Sequence, residues 1–289
     1  MVRESRRPEE IEHDAIATLP VNPERVVNVD RAALRESGLL PPEAQAREIA
    51  DQYRAIKRPL LAAAFSPVEQ GAPLPQVMMM ASALPGDGKT FTCINLALSM
   101  SLEKDHTVLL VDGDVAKPHI SQAFGVERER GLLDLLSDPA LSVESVVMPT
   151  DVPRLYILPA GRQSEVATEL LASERMQGIL AALVALNPRG VVLVDSPPLL
   201  LTSEAQVLST LAGQIALVVK AGVTLQQAVK DAIELVGEDP PRLRLILNQA
   251  DTTGPLGYYY GHRYGYGYAR PDGTSRSSSA ENAGSPSGA

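Results

Sequence analysis

The sequence predicts a doubly wound α/β fold, with one mainly parallel sheet of about six strands and helices on both faces. Three observations carry this expectation. Strand-like and helix-like segments alternate from about residue 42 onward. The strand segments are apolar throughout, as strands are when crossover helices cover both faces. Several of them end in Asp or in Gly-rich loops, and ligands of such sheets bind beyond the carboxyl ends of the strands.

The elements follow in order. PPEAQAREIADQYRAIKRPLLAAAF starts on proline and repeats apolar residues at helical spacing through Ile49, Tyr53, Ile56, Leu60 and Leu61. QVMMMAS is a short buried strand closed by a Pro/Gly loop, and its Met78, Met79 and Met80 read as core. Residues 88–102, GKTFTCINLALSMSL, form a helix on which Cys93 is a small buried hydrophobe. TVLLVDGD is a second strand, 131–136 a short helix and RLYILPAG a third strand. A helix at 173–186 leads to the strand GVVLVDSPP. A helix at 205–211, the strand QIALVVKAG, a helix at 225–236 and the strand LRLILNQAD complete the series.

The chain has 289 residues, 45% of them hydrophobic, enough to bury a sizeable core. Residues 1–40 read as a mobile arm with one short ordered piece around 25–34. The main domain runs over 41–253, followed by a tyrosine-rich tail at 254–270. Residues 271–289 are Ser/Gly/Pro-rich, almost free of apolar residues and expected to be disordered. The net charge of -9 argues against nucleic acid as a partner. A single cysteine excludes an intrachain disulfide and a four-cysteine zinc site. His106, His119 and His262 have no partners at metal spacing and read as structural or surface residues. No secretory signal and no run of about 18 apolar residues is expected. Six of the eight tyrosines fall at Tyr258, Tyr259, Tyr260, Tyr264, Tyr266 and Tyr268.

The first strand is followed by Ala83-Leu84-Pro85-Gly86-Asp87-Gly88-Lys89-Thr90 and then a helix. This is the phosphate-loop pattern with Ala83 at its first glycine. Gly86 and Gly88 let the backbone approach phosphates, and successive N–H groups and the helix N-terminus face the anion. Lys89 would reach the β- and γ-phosphates, and the Thr90 hydroxyl would hold Mg²⁺. Asp112 and Asp114 follow the second strand, and Asp195 follows GVVLV. Carboxylates there can hold Mg²⁺ or accept a proton from an attacking hydroxyl. Asn248 ends the last strand and either pairs with a base edge or simply terminates the strand.

These residues resemble the bacterial tyrosine kinases, the autokinases of capsule and exopolysaccharide export, within the deviant-Walker class of phosphate-loop ATPases. The resemblance spans about residues 46–270 and is strongest to the exosortase-associated (PEP-CTERM locus) autokinase subgroup. Its Walker A is 82–90, its Walker A′ is Asp112-Gly113-Asp114-Val115-Ala116-Lys117-Pro118, and its Walker B is Leu193-Val194-Asp195-Ser196-Pro197-Pro198. Ala116 stands where the usual A′ motif has Arg. The clustered tyrosines match the family's autophosphorylation tail. Asp51, Arg54 and Lys57 match a helical self-association motif.

The resemblance implies ATP and Mg²⁺ as cofactors. Pro85, Gly86, Asp87, Gly88, Lys89, Thr90 and Phe91 would bind the phosphates and Asn248 the adenine. Thr90, Asp114 and Asp195 would hold the metal, while Lys89, Asp112 and Asp114 act in catalysis. It further implies a ring-like homo-oligomer, a membrane-embedded polysaccharide chain-length regulator and a phosphotyrosine phosphatase as partners. The location implied is cytoplasmic, at the inner face of the bacterial inner membrane. Two other readings stay open. One is a spatial-organising ATPase, although the signature lysine of those families is replaced here by Leu84. The other is a scaffold that binds ATP only to assemble.

Overall fold

The structure, a computed structural model, describes residues 19–22, 25–67, 71–237 and 242–250. The segments expected as a tyrosine-rich tail and a disordered tail lie outside the described residues, and with them all six clustered tyrosines. In chain order come α1 (Arg31–Glu36), a 3-10 turn (Glu43–Gln45), α2 (Ala46–Ala64), β1 (Val77–Ser82), α3 (Lys89–Met100) and β2 (Thr107–Asp112). Then follow α4 (His119–Ala123), α5 (Leu132–Ser137), α6 (Val143–Val146), β3 (Met148–Pro149), β4 (Leu155–Leu158), α7 (Ala167–Leu171) and α8 (Glu174–Leu186). The chain continues through β5 (Gly190–Asp195), α9 (Ser203–Leu211), β6 (Gln214–Lys220), α10 (Gln226–Val236) and β7 (Leu243–Asn248).

The strands form one sheet in the order β3-β4-β2-β5-β1-β6-β7. All pairings are parallel except β3 with β4. The six predicted strands are present. The seventh, β3, is a two-residue edge, too short for hydrophobic periodicity to reveal. In the register, Asp195 of β5 stands opposite both Met80 of β1 and Asp112 of β2. The loops after these three central strands therefore leave the sheet at one level, and this level carries the site.

Successive strand residues point to opposite faces, and each face has its own apolar cluster. Met79, Leu109, Val111, Val192 and Val194 belong to one. Met78, Met80, Leu110, Val191 and Leu193 belong to the other. Burying a Val, Leu or Met side chain contributes roughly 1.5–3 kcal/mol, so both faces drive the sheet together. The methionine run is core, as its strand position predicts.

Within the arm expected over 1–40, the short ordered piece expected around 25–34 is present, and the described residues correct its extent by carrying the order on to Leu40. Val27 forms a bridge with Thr150, donating to the Pro149 carbonyl and accepting from Asp151 N–H. Asp30 caps α1 by accepting from the N–H groups of Ala32 and Ala33. Val27, Val29, Leu34 and Leu40 are buried in the cluster that also contains Met78 and Met80. The segment is rich in charge but carries four apolar anchors, and these are sufficient to fasten it.

Candidate active site

The loop between β1 and α3 begins the site. Gly86 and Gly88 have φ of 86° and 91°, left-handed angles that disfavour any side chain. At Gly88 a Cβ would also collide with the Asn248 amide. α3 starts directly at Lys89, so its free N–H groups and its dipole face the space above the loop.

Lys89 Nζ lies 3.0 Å from Asp195 Oδ1 and 3.8 Å from Asp114 Oδ2. The Thr90 hydroxyl donates to Asp195 Oδ2 at 2.7 Å. Burial pulls the Lys89 pKa down, but the carboxylates of Asp195 and Asp114 outweigh it and hold the ammonium above its ordinary value. Asp114 is shifted up, because burial outweighs the attraction of Lys89. Asp112 is fully buried, and its Oδ2 accepts from both the N–H and the hydroxyl of Ser121 at 2.7 Å. Its Oδ1 is buried without a partner among the described residues. Burial pushes this carboxyl up to about 7, against the two Ser121 hydrogen bonds.

A cavity of about 760 Å³ opens above these groups. Pro85, Gly86, Gly88, Lys89, Thr90 and Phe91 line it, with Asp114 and Lys117 beside them. Most of the predicted phosphate- and metal-binding residues are thus brought together. Four of the predicted site residues sit differently. Asp112 and Asp195 lie one layer beneath the cavity rather than in its wall. The Asp87 carboxylate turns away from the cavity and anchors the loop. Asn248 donates to the Asp87 carbonyl at 2.9 Å, so in this structure it supports the phosphate loop. Leu39 and His119 also line the cavity. Leu39 comes from the segment expected to be mobile, and nothing in its local sequence pointed to the site. His119 follows the A′ motif directly, a position that could have marked it.

Thr90, Asp195 and Asp114 offer hard oxygen donors, which suit Mg²⁺ and not a thiophilic metal. Among the described residues no group of three or more His, Cys, Asp or Glu is placed to hold a metal alone. Mg²⁺ needs none where one or two carboxylates, a hydroxyl and substrate phosphates share it. The residues present therefore fit this ion.

The self-association triad does not stay together. Asp51 and Arg54 pair with each other on the exposed side of α2. Lys57 is only 3% exposed, and its Nζ donates to the Ser99 carbonyl at 2.6 Å and pairs with Glu103 at 2.7 Å. The expectation for Lys57 is corrected: its ammonium fastens α2 to the end of α3. Each step of three residues drifts about 60° around a helix, so Lys57 lies about 120° from Asp51. That brings it onto the face of Tyr53, Leu60 and Leu61, which is buried.

The AAA domain family matches residues 76–235, more than half of the chain. The tyrosine-protein kinase YwqD of Bacillus subtilis is 31% identical over 212 residues, covering 72% of this chain and 85% of that protein. The succinoglycan biosynthesis transport protein ExoP of Rhizobium meliloti is 33% identical over 67% of the chain. The chain spans only 25% of ExoP, and 28% and 27% of the two Ralstonia EpsB proteins that it matches. The crystal structure of the VpsO kinase domain superposes with a TM-score of 0.58 at 30% identity, covering 72% of this chain and 98% of that domain. The loop, the two acidic strand ends and these relatives agree: the chain belongs to the bacterial tyrosine-protein kinases, built on a nucleotide-binding AAA domain.

Proposed function

We propose that this chain is an ATP-dependent protein-tyrosine autokinase that phosphorylates the 258–268 tyrosines of a neighbouring copy and so regulates exopolysaccharide polymerisation and export. The observation that carries this reading is the convergence of Lys89, Thr90 and Asp114 on one cavity, with Asp195 bonded beneath them. The acceptor oxygen forms a bond to the γ-phosphorus as the bond to the bridging oxygen of ADP breaks. Lys89 and the loop N–H groups stabilise the charge that spreads over the transferred phosphoryl. Thr90, Asp114 and Asp195 would hold Mg²⁺, which supplies further charge neutralisation when bound. Asp114 is the carboxylate that faces an incoming hydroxyl and accepts its proton, while Asp112, buried beneath the cavity, supports that site from below. Lys117 lines the cavity and takes the cationic role left open by Ala116.

The ring-like assembly, the membrane-embedded chain-length regulator, the phosphatase, the exosortase-associated subgroup and the place at the inner face of the membrane belong to this proposal. ExoP, described as a transport protein of succinoglycan biosynthesis, supports the link to polysaccharide export. Among the described residues no helix is long and apolar enough to cross a membrane. Ala116 favours a second reading, an ATP-gated scaffold without transfer activity.

Incubation with Mg-ATP and phosphotyrosine mapping by peptide mass spectrometry separates the two. The expected result is phosphate on 258–268 in the wild-type chain and none in Lys89→Ala or in a six-fold Tyr→Phe tail. Absence of phosphotyrosine even with the regulator's cytoplasmic segment added would overturn the kinase reading and leave the scaffold.

A further inference from the structure

The phosphate loop is held from outside itself. Asp87 stands between two left-handed glycines, which give the loop little stiffness of its own. Yet Asp87 is only 3% exposed, and each of its three oxygens is engaged. Leu84 N–H donates to Oδ2 at 3.2 Å, which closes the loop on itself. The Thr224 hydroxyl donates to Oδ1 at 2.6 Å from the segment after β6. The Asn248 amide donates to the carbonyl at 2.9 Å from the end of β7.

Thr224 is locked before it touches Asp87. Its hydroxyl oxygen accepts from Lys220 N–H at 3.0 Å, and its own N–H donates to the Lys220 carbonyl at 3.0 Å. With an N–H already directed at that oxygen, the hydroxyl proton is given to Asp87. β6 in turn pairs directly with β1, in the register Ala81 with Leu217 and Ser82 with Val218. The frame that carries Thr224 is therefore bonded to the strand that launches the phosphate loop.

We propose that Thr224 is a positioning residue of the nucleotide site: through the Asp87 carboxylate it holds the phosphate loop in its phosphate-receiving shape, with Asn248 as the second anchor. Thr224 does not line the cavity, so its effect on a nucleotide passes through the loop. The cost of ordering two glycines is met on folding, and the N–H groups are already aligned when phosphates arrive. The proposal rests on nucleotide binding at this loop and not on where the phosphoryl group goes.

The test uses the full chain with Thr224→Val, Thr224→Ser, Asp87→Ala and the double variant Thr224→Val/Asp87→Ala. Three quantities are read: affinity for a fluorescent ATP analogue with Mg²⁺, hydrogen exchange of the 84–90 amides, and thermal unfolding. Thr224→Val is expected to weaken binding about tenfold and to speed exchange at 84–90, as loss of a hydrogen bond to a charged group would. Thr224→Ser keeps both bonds and stays within about twofold. The double variant binds no worse than Asp87→Ala alone, because both changes cut one linkage. Thr224→Val with wild-type affinity and exchange overturns the proposal, and so do additive losses in the double variant. If Thr224→Val unfolds, the serine variant and Asp87→Ala decide: serine that loses affinity, or Asp87→Ala that keeps it, overturns the proposal. Nucleotide binding without phosphotyrosine would remove the kinase reading and leave this comparison intact.

Discussion

Lys89 keeps its charge although its side chain is almost fully buried, because two carboxylates accompany it. Asp112 has no such cation among the described residues, and that difference sets a pH dependence. Its folded pKa of about 7 lies above the ordinary carboxylate value, so the folded chain holds this proton more tightly than the unfolded one. Stability from this group is greatest near pH 4, falls as pH rises towards 7 and levels off above it. Asp112→Asn removes the penalty. In metal-free buffer with chelator, its unfolding free energy relative to wild type should rise by a few kcal/mol between pH 4 and 8. Urea titrations across that range check the sign, and a flat difference would show that the carboxyl is not destabilised by burial. Lys89, Thr90, Asp114 and Asp195 were legible in the sequence because each follows an apolar strand within a known phosphate-site pattern. The burial of Asp112 and the Thr224–Asp87 contact were not. The first arises from the register of β2 against β5, and the second joins loops 137 positions apart.

α2 has a buried side fastened by Lys57 and an exposed side that carries the Asp51–Arg54 pair, and substitutions should separate the two. Lys57→Ala removes both attachments to the end of α3 and leaves that carbonyl and Glu103 without their cation. It should cost roughly 1–3 kcal/mol of stability. Reversing the exposed Asp51–Arg54 pair should change stability by less than about 1 kcal/mol and change oligomer size instead. Thermal unfolding with light scattering on both variants tests this, and an Asp51/Arg54 swap that leaves the oligomer unaltered would remove the self-association role. β1, β2, β4 and β5 were legible because their residues are buried on both faces and so read as continuous apolar runs. β7, another apolar run, is instead an edge strand that leaves Leu245 and Leu247 exposed. α1 was not legible, since Leu34 is its one buried residue and leaves no apolar period, and β3 was not, since it has only two residues. Lys57 was misplaced by matching a motif, although helical geometry alone puts it on the buried face.

The whole chain is acidic, with a net charge of -9, and its six clustered tyrosines are potential sites of further charge. Each phosphate would add about -1.5 to -2. Copies that deliver tyrosines to acidic sites should part as that charge accumulates. The solution mass should therefore fall after incubation with Mg-ATP and recover after phosphatase treatment, and an oligomer unchanged by phosphorylation would exclude such cycling. Cys93 offers a different handle on the same molecule. It is the chain's one thiol, it lies on α3 with no exposed surface, and burial holds its pKa well above the ordinary value. An alkylating reagent reaches it only when α3 parts from the sheet. Because α3 begins at Lys89, the rate of alkylation is a clock on the opening of the phosphate-holding helix, present in the unaltered chain. A bound nucleotide slows that clock in proportion to the preference it has for the closed form.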